Sequence, residues 1–259
     1  MLALMLAGCG AKQETVFIGG VDDLVGKKIG VQEGTTGDIY AGDIEKAELS
    51  RYKKAVDAAI DLKNGKVDAV ILDEQPAKRI VENNPDLAII DEDFTQEDYA
   101  IGVRKEDTEL LASINATLKR IKEDGKFQSF LDAYIPESGE PTVLPERSAT
   151  NFKDTIVMGT NAEFEPFEYK ENGKIVGFDV EIANEIAADL GKNLKIEDMN
   201  FDSLINALTS GKIDMILAGY TALDERKKSI AFSDSYYTST QVIIVRKTSM
   251  QTPAQTPAQ

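Results

Sequence analysis

Histidine and tryptophan are missing from all 259 residues, and cysteine occurs once. Without histidine the chain cannot assemble a Ser-His or Cys-His catalytic pair, and with a single cysteine it lacks the usual soft ligand sets for a metal. No metal and no cofactor are therefore expected. Positive charge is also scarce: 29 basic against 45 acidic residues leave a formal charge of −16, a field that repels a phosphate backbone and argues against nucleic acid as a partner. No apolar run reaches the roughly 20 residues that a membrane-spanning helix needs. With only 8 Pro and 19 Gly, the chain is neither collagen-like nor disordered throughout. What is present, 42% apolar and 29% charged residues, suits a globular protein of one extended architecture or two lobes of roughly 100 residues each.

Short apolar runs alternate with amphipathic segments, the pattern of an α/β protein whose helices cover a largely parallel sheet. In the first part, strands are expected at 28–32, 67–72 and 87–90, with helices starting near Gly37, Ala55 and Gln75. A long helix over 108–123 places Leu110, Leu111, Ile114, Leu118 and Ile121 on one face, and a shorter one runs through Tyr134. The proline-bearing stretch from Pro136 reads as a linker. Beyond it, strands at 155–159, 195–198, 213–217 and 241–245 alternate with helices at 179–190 and 202–209.

The segment from Leu62 to Asp73 echoes that from Leu208 to Gly219. In each, a helix ends at Gly (Gly65, Gly211), a Lys and an Asp flank a β-branched residue, and a buried strand delivers a polar turn. A glycine cap explains the Gly. It does not explain why both strands end in candidate ligand groups, where open α/β sheets place their pockets. Two similar lobes facing one cleft follow.

The run from Ala218-Gly219-Tyr220-Thr221 through Arg226 to Ser233-Asp234, with Gly177-Phe178-Asp179 and Asn200-Phe201, resembles the polar amino-acid-binding proteins of bacterial ABC importers, solute-binding protein family 3, of the glutamine- and lysine/arginine/ornithine-binding type. The resemblance covers essentially residues 21–247. It implies a periplasmic-binding-protein type II fold, two lobes around a ligand cleft, and a free L-amino acid as ligand delivered to an ABC permease outside the cytoplasm. In the family, the segment found here at 153–247 precedes that found at 21–135, so the chain looks circularly permuted, with its new ends in one of the inter-lobe crossovers. The implied divisions are 17–90 for lobe II, 91–103 for a hinge crossover, 104–135 for the closing helices of lobe I, 136–152 for the linker and 153–247 for lobe I. One covalent hinge is expected instead of two.

By the same resemblance, Arg226 grips the ligand α-carboxylate, a task that suits a rigid guanidinium fork. Thr221 and Gly219 meet the carboxylate and α-ammonium, Thr36 in the Gly34-Thr35-Thr36-Gly37 turn completes the carboxylate site, and Asp73 pairs with the ammonium. Read from the residues alone, Asp73 could instead cap the following helix, and Arg226 could be a surface residue of a charged helix start. Phe164 and Phe201 match an aromatic pair around the ligand side chain. Asn161, a position frequently Asp in relatives, and Gln32 supply neutral amides, so a neutral polar, glutamine-like ligand is expected.

Residues 1–16, with Leu6-Ala7-Gly8-Cys9, resemble a truncated signal and bacterial lipobox, with Cys9 as the lipidation site and a membrane lipid anchor. Residues 248–259 read as a flexible tail. No catalytic residue is assigned. The competing reading is an enzyme on the same scaffold resembling cyclohexadienyl dehydratases, whose proton donor would be Glu163, Glu165 or Glu33. Either a monomer or an exchanged dimer suits the permuted order.

Overall fold

The structure is a computed structural model that describes residues 16–92, 95–147 and 151–251. Cys9 and the TPAQ repeat lie outside the described residues. The first part runs β1 (Lys28–Gln32), α1 (Thr36–Gly42), β2 (Glu48–Tyr52), α2 (Ala55–Lys63), β3 (Ala69–Asp73), α3 (Glu74–Glu82), β4 (Leu87–Ile89) and β5 (Thr95–Tyr99). Then follow β6 (Gly102–Val103), α4 (Thr108–Glu123) and α5 (Lys126–Tyr134). After the linker come β7 (Asp154–Thr160), β8 (Glu163–Phe164), β9 (Glu168–Glu171), β10 (Lys174–Val176), α6 (Phe178–Asp189), β11 (Lys192–Asp198), α7 (Leu204–Thr209), β12 (Met215–Ile216), α8 (Asp224–Lys227), β13 (Ala231–Phe232) and β14 (Tyr237–Arg246).

Two mixed sheets result. One is six-stranded, in the order β2-β1-β3-β14-β4 with β5 added against β14; the other has the order β11-β7-β12-β6-β13. In the first, β1 is parallel to β2 and β3. In the second, β7 is parallel to β11 and β12. β3, Ala-Val-Ile-Leu-Asp, is buried at every position, as a central strand covered on both faces must be. Ile114, Leu118 and Ile121 of α4 are buried, with Leu110 and Leu111 packed beside them. A small antiparallel sheet, β10-β9-β8, forms one wall of the cleft.

The connection between the lobes differs from expectation. β14 belongs to the first sheet, antiparallel to β3, β4 and β5, and not to the body formed by residues 153–232. The chain therefore crosses twice: between β5 and β6, and again between β13 and β14. The crossings are zipped together, with Tyr237 opposite Tyr99, the Tyr236 N–H donating to the Tyr99 carbonyl (2.9 Å) and the Ser233 N–H to the Ile101 carbonyl (2.9 Å). The single hinge is thus replaced by two. The reason is physical: only 241–245 reads as a buried strand, whereas the polar half, 237–240, pairs with β5 and spans the gap.

The outermost described residues on the two sides meet at the first sheet. Lys247–Met250 forms a 3-10 turn with Ser249 buried, so the first residues of the expected tail are held in the fold, and the Ser249 carbonyl accepts a hydrogen bond from the Ile18 N–H (2.9 Å) at the first sheet. The linker is held down: the Thr142 N–H donates to the Asp132 carbonyl (3.0 Å), and Arg147 pairs with Glu181 (2.6 Å) and Glu185 (2.9 Å) on α6.

The repeated segment is repeated in structure. Asp68 exchanges two hydrogen bonds with the Lys28 backbone (2.7 and 3.0 Å), and Asp214 does the same with Val157 (2.8 and 2.8 Å). Gly65 and Gly211 take left-handed φ of 70° and 76° at the ends of their helices. In each lobe an arginine seals the turn: Arg246 donates to the Leu62 and Val67 carbonyls, and Arg104 donates to the Leu208 (3.3 Å) and Ile213 (2.7 Å) carbonyls.

Candidate functional site

The carboxyl ends of the parallel strands converge on one narrow cavity between the lobes. From lobe II come Gln32, the last residue of β1, Thr35 and Thr36 at the start of α1, and Asp73 at the end of β3. From lobe I come Asn161, Phe164, Glu168, Phe201, Ala218, Gly219, Thr221 and Arg226. All nine residues singled out in the sequence line this cavity. Three liners were not foreseen: Thr35, Ala218 and Glu168.

Arg226 is buried at 7% exposure, so it is not a surface residue. Its guanidinium lies over the Tyr220 ring (4.1 Å) and near that of Phe201 (5.3 Å), and it donates to the Thr221 carbonyl (2.9 Å) and, across the cleft, to the Gly34 carbonyl (3.0 Å). Burial lowers its pKa from the ordinary arginine value, opposed by the neighbouring Glu97 and Asp73 charges. Gly219 has φ of 52°, and a Cβ there would sit 2.6 Å from the Phe164 ring, so only glycine lets the turn pass the aromatic wall.

Asp73 occupies the N-cap position of α3 without making a side-chain cap bond. Its carboxylate instead accepts hydroxyl hydrogen bonds from Tyr99 and from Ser239 (3.2 Å), and burial raises its pKa. Beneath it, Glu97 is held up at about 7 by burial and by the Asp73 charge. On the opposite side, Glu168 of β9 is 1% exposed, its carboxyl buried beside the side chains of Asp179 and Thr160. Burial, and then the nearby Asp179, push its pKa well up. Asp179 itself rises to about 6 through burial while accepting from the Gly219 N–H (3.0 Å) and the Tyr236 hydroxyl (2.9 Å).

The two amides assigned to a ligand side chain bind one another: Gln32 Nε2 donates to Asn161 Oδ1 across the cleft (2.8 Å). Ion pairs reinforce this closure on the outside, Lys53 with Asp202 (2.9 Å) and Lys54 with Glu163 (2.7 Å). Glu33, Glu163 and Glu165, the acids proposed for an enzyme, face Lys53, Lys54 and Arg79 respectively and do not line the cavity. Nothing in the sequence marks Glu168: in Glu-Tyr-Lys-Glu it reads as one more charge on an exposed strand.

Residues 156–254 match the bacterial extracellular solute-binding proteins, family 3. The chain carries this family's domain over that segment. Its two lobes and cleft are the type II periplasmic-binding-protein fold. Among its relatives is the arginine-binding extracellular protein of Bacillus subtilis (strain 168), 48% identical over 97 residues, which are 38% of each chain. Another is a protein of Campylobacter jejuni named "Probable histidine-binding protein", 39% identical over 105 residues, covering 39% of this chain and 41% of that one. The crystal structure of the arginine-bound form of domain 1 from TmArgBP is 48% identical over 37% of this chain and 82% of that chain, with a TM-score of 0.33. The chain spans about two-fifths of the length of the curated relatives it matches.

Proposed function

We propose that the chain encloses a free cationic L-amino acid of the arginine type and presents it, outside the cytoplasm, to an ABC permease, without covalent chemistry. The observation that carries this reading is Glu168: a carboxyl buried at the cavity wall next to a second buried acid, Asp179. Two carboxyls buried side by side disfavour each other's charge, and a cationic side chain relieves that cost with charge-assisted bonds. Among the described residues, Arg226 is the one cation lining the cavity, against the acids Asp73 and Glu168. It suits the α-carboxylate, while Asp73 with the Gly219 carbonyl and Thr221 hydroxyl suits the α-ammonium. Phe164 and Phe201 flank the aliphatic stem. The neutral, glutamine-like ligand expected from Asn161 and Gln32 gives way to this one, because those amides satisfy each other. Relatives named for arginine or histidine support the cationic class.

Titration calorimetry of the purified chain against arginine, lysine, histidine and glutamine tests the reading. Arginine is expected to bind at least about tenfold more tightly than glutamine, a difference of roughly 1.4 kcal/mol. Glutamine binding as tightly as arginine would overturn it. A dehydratase reading keeps one supporting observation, that burial favours the neutral, proton-donating form of Glu168; turnover of a hydroxylated cyclohexadienyl acid by the purified chain would establish it.

We further propose that the order of the two segments is permuted relative to the family. The adjacency of Ile18 and Ser249 supports this, since joining them would close the first lobe without a break. A reordered gene, with residues 153–251 fused ahead of 16–135, should then fold and bind the same ligand; loss of both would refute the proposal.

A further inference from the structure

Glu97 lies on β5, two residues before the first crossing, beneath the cavity. Its Oε2 accepts hydrogen bonds from Thr36 Oγ1 (2.7 Å) and Thr221 Oγ1 (2.6 Å). Thr36 opens α1 in lobe II and Thr221 follows β12 in lobe I, and both line the cavity. One carboxylate oxygen thus gathers a ligand-facing hydroxyl from each lobe. The other oxygen, Oε1, is buried with no hydrogen-bond partner. A carboxyl that accepts twice at one oxygen and leaves the second unpaired in a desolvated place has a ready site for a proton.

The charged and titratable groups facing Glu97 come from every side: Asp73 at the end of β3, Tyr99 on β5 itself, Tyr40 on α1 and Arg226 on α8. Asp73 opposes ionisation of Glu97 and Arg226 favours it. A ligand α-ammonium beside Asp73 adds a second positive charge to this cluster and shifts the balance towards the carboxylate.

Resting on the reading of a cationic amino-acid ligand, we propose that Glu97 is a positioning residue of the site: it holds the Thr36 and Thr221 hydroxyls for the two lobes and gives up a carboxyl proton as the ligand enters. The O–H bond of the carboxyl breaks, its electron pair stays on the carboxylate, and the proton passes to the buffer. Binding and proton release are then linked, so affinity rises with pH through the range in which the carboxyl titrates.

The test is calorimetry of the full chain with L-arginine at pH 6 and pH 8, each in two buffers of different ionisation heat. The expected result is proton release at pH 6 and an affinity about tenfold weaker there than at pH 8. Glu97→Gln keeps an amide oxygen to accept from both hydroxyls, so it should still bind, but without proton release and with affinities within about twofold at the two pH values. Wild-type binding without proton release, or wild-type release in Glu97→Gln, overturns the role of Glu97 while leaving the ligand reading intact. If L-arginine binds at neither pH, the ligand reading falls and thermal melting of the chain alone decides on Glu97. Wild type should lose stability relative to Glu97→Gln between about pH 5 and 7, and parallel profiles overturn the proposal.

Discussion

Gln32 and Asn161, 129 positions apart, meet across the cleft with Gln32 Nε2 donating to Asn161 Oδ1, and Asn161 in turn donates to the Met199 carbonyl (2.9 Å). The contact joins the end of β1 in one lobe to the residue after β7 in the other, so it forms only when the lobes are together. A buried hydrogen bond of this kind stabilises by about 1 kcal/mol. Asn161→Ala should therefore shift the protein towards open forms, seen as a larger radius of gyration in small-angle scattering without amino acid. An unchanged radius would show that the ion pairs outside the cleft hold the lobes without it.

Arg226→Ala should abolish amino-acid binding while the far-ultraviolet circular dichroism stays that of the parent. Removing one side of a buried charge-assisted pair costs about 2 to 5 kcal/mol, or roughly 30-fold to several thousand-fold in affinity. Binding within threefold of the parent would disprove the carboxylate assignment.

Glu168→Gln removes the charge and keeps the shape. Arginine affinity should fall by roughly 10- to 150-fold, the loss of a hydrogen bond to a charged group, while glutamine affinity holds or improves. Competition calorimetry reads both, and equal losses for the two ligands would place Glu168 outside the side-chain pocket.

Buried carboxyls set the pH profile of stability. Glu97 at about 7 and Asp179 at about 6 both lie above their ordinary values because burial disfavours the charge. The folded state holds their protons more tightly than the unfolded chain does. Their contribution is full below about pH 4 and is lost as pH rises to about 7. Glu185 acts oppositely. Burial resists its ionisation, yet Lys126, Arg120 and Arg147 outweigh that and hold it at about 2, so its contribution is present above about pH 4.5 and lost in stronger acid. The melting temperature without ligand should peak on the acid side of neutrality. A maximum at pH 8 would contradict this balance.

Arg104 and Arg246 make a matched pair of deletions. Each donates to two carbonyls of the repeated turn and approaches its Asp, Asp214 at 3.2 Å and Asp68 at 3.8 Å. Arg104→Ala and Arg246→Ala should each lower stability by about 1 to 3 kcal/mol, because buried carbonyls lose charged donors. Chemical denaturation checks this; a neutral effect in either lobe would break the equivalence.

The repeated helix-turn-strand was legible because its signals are local: a glycine cap, an Asp one residue past a β-branched position, then an apolar run. The arginines that seal those turns carry no such signal, since Arg246 lies 179 residues from Val67 in the chain. Asp73, Gly219 and Thr221 stood out at the ends of the repeated strands, and the other cavity residues came from the resemblance to the family's motif. Glu168 and Glu97 were not, because Glu-Tyr-Lys-Glu and Thr-Gln-Glu-Asp-Tyr look like solvated surface and become buried only when β9 forms the cleft wall and β5 pairs with β14. The same pairing hid the second crossing.

That second crossing makes the joint a two-ply ribbon, and a ribbon bends more readily than it twists. Lobe I should then swing on lobe II about one axis, like a page on a spine, instead of tumbling about a single thread. The ribbon also supplies groups of the site itself: Glu97 and Tyr99 on one ply, Ser239 and Gln241 on the other, reach Asp73 and Thr36. One further bond reaches this ribbon from lobe I, Thr221 Oγ1 to Glu97 Oε2 (2.6 Å), so a swing of the lobes should lengthen that bond first and loosen the grip on Glu97.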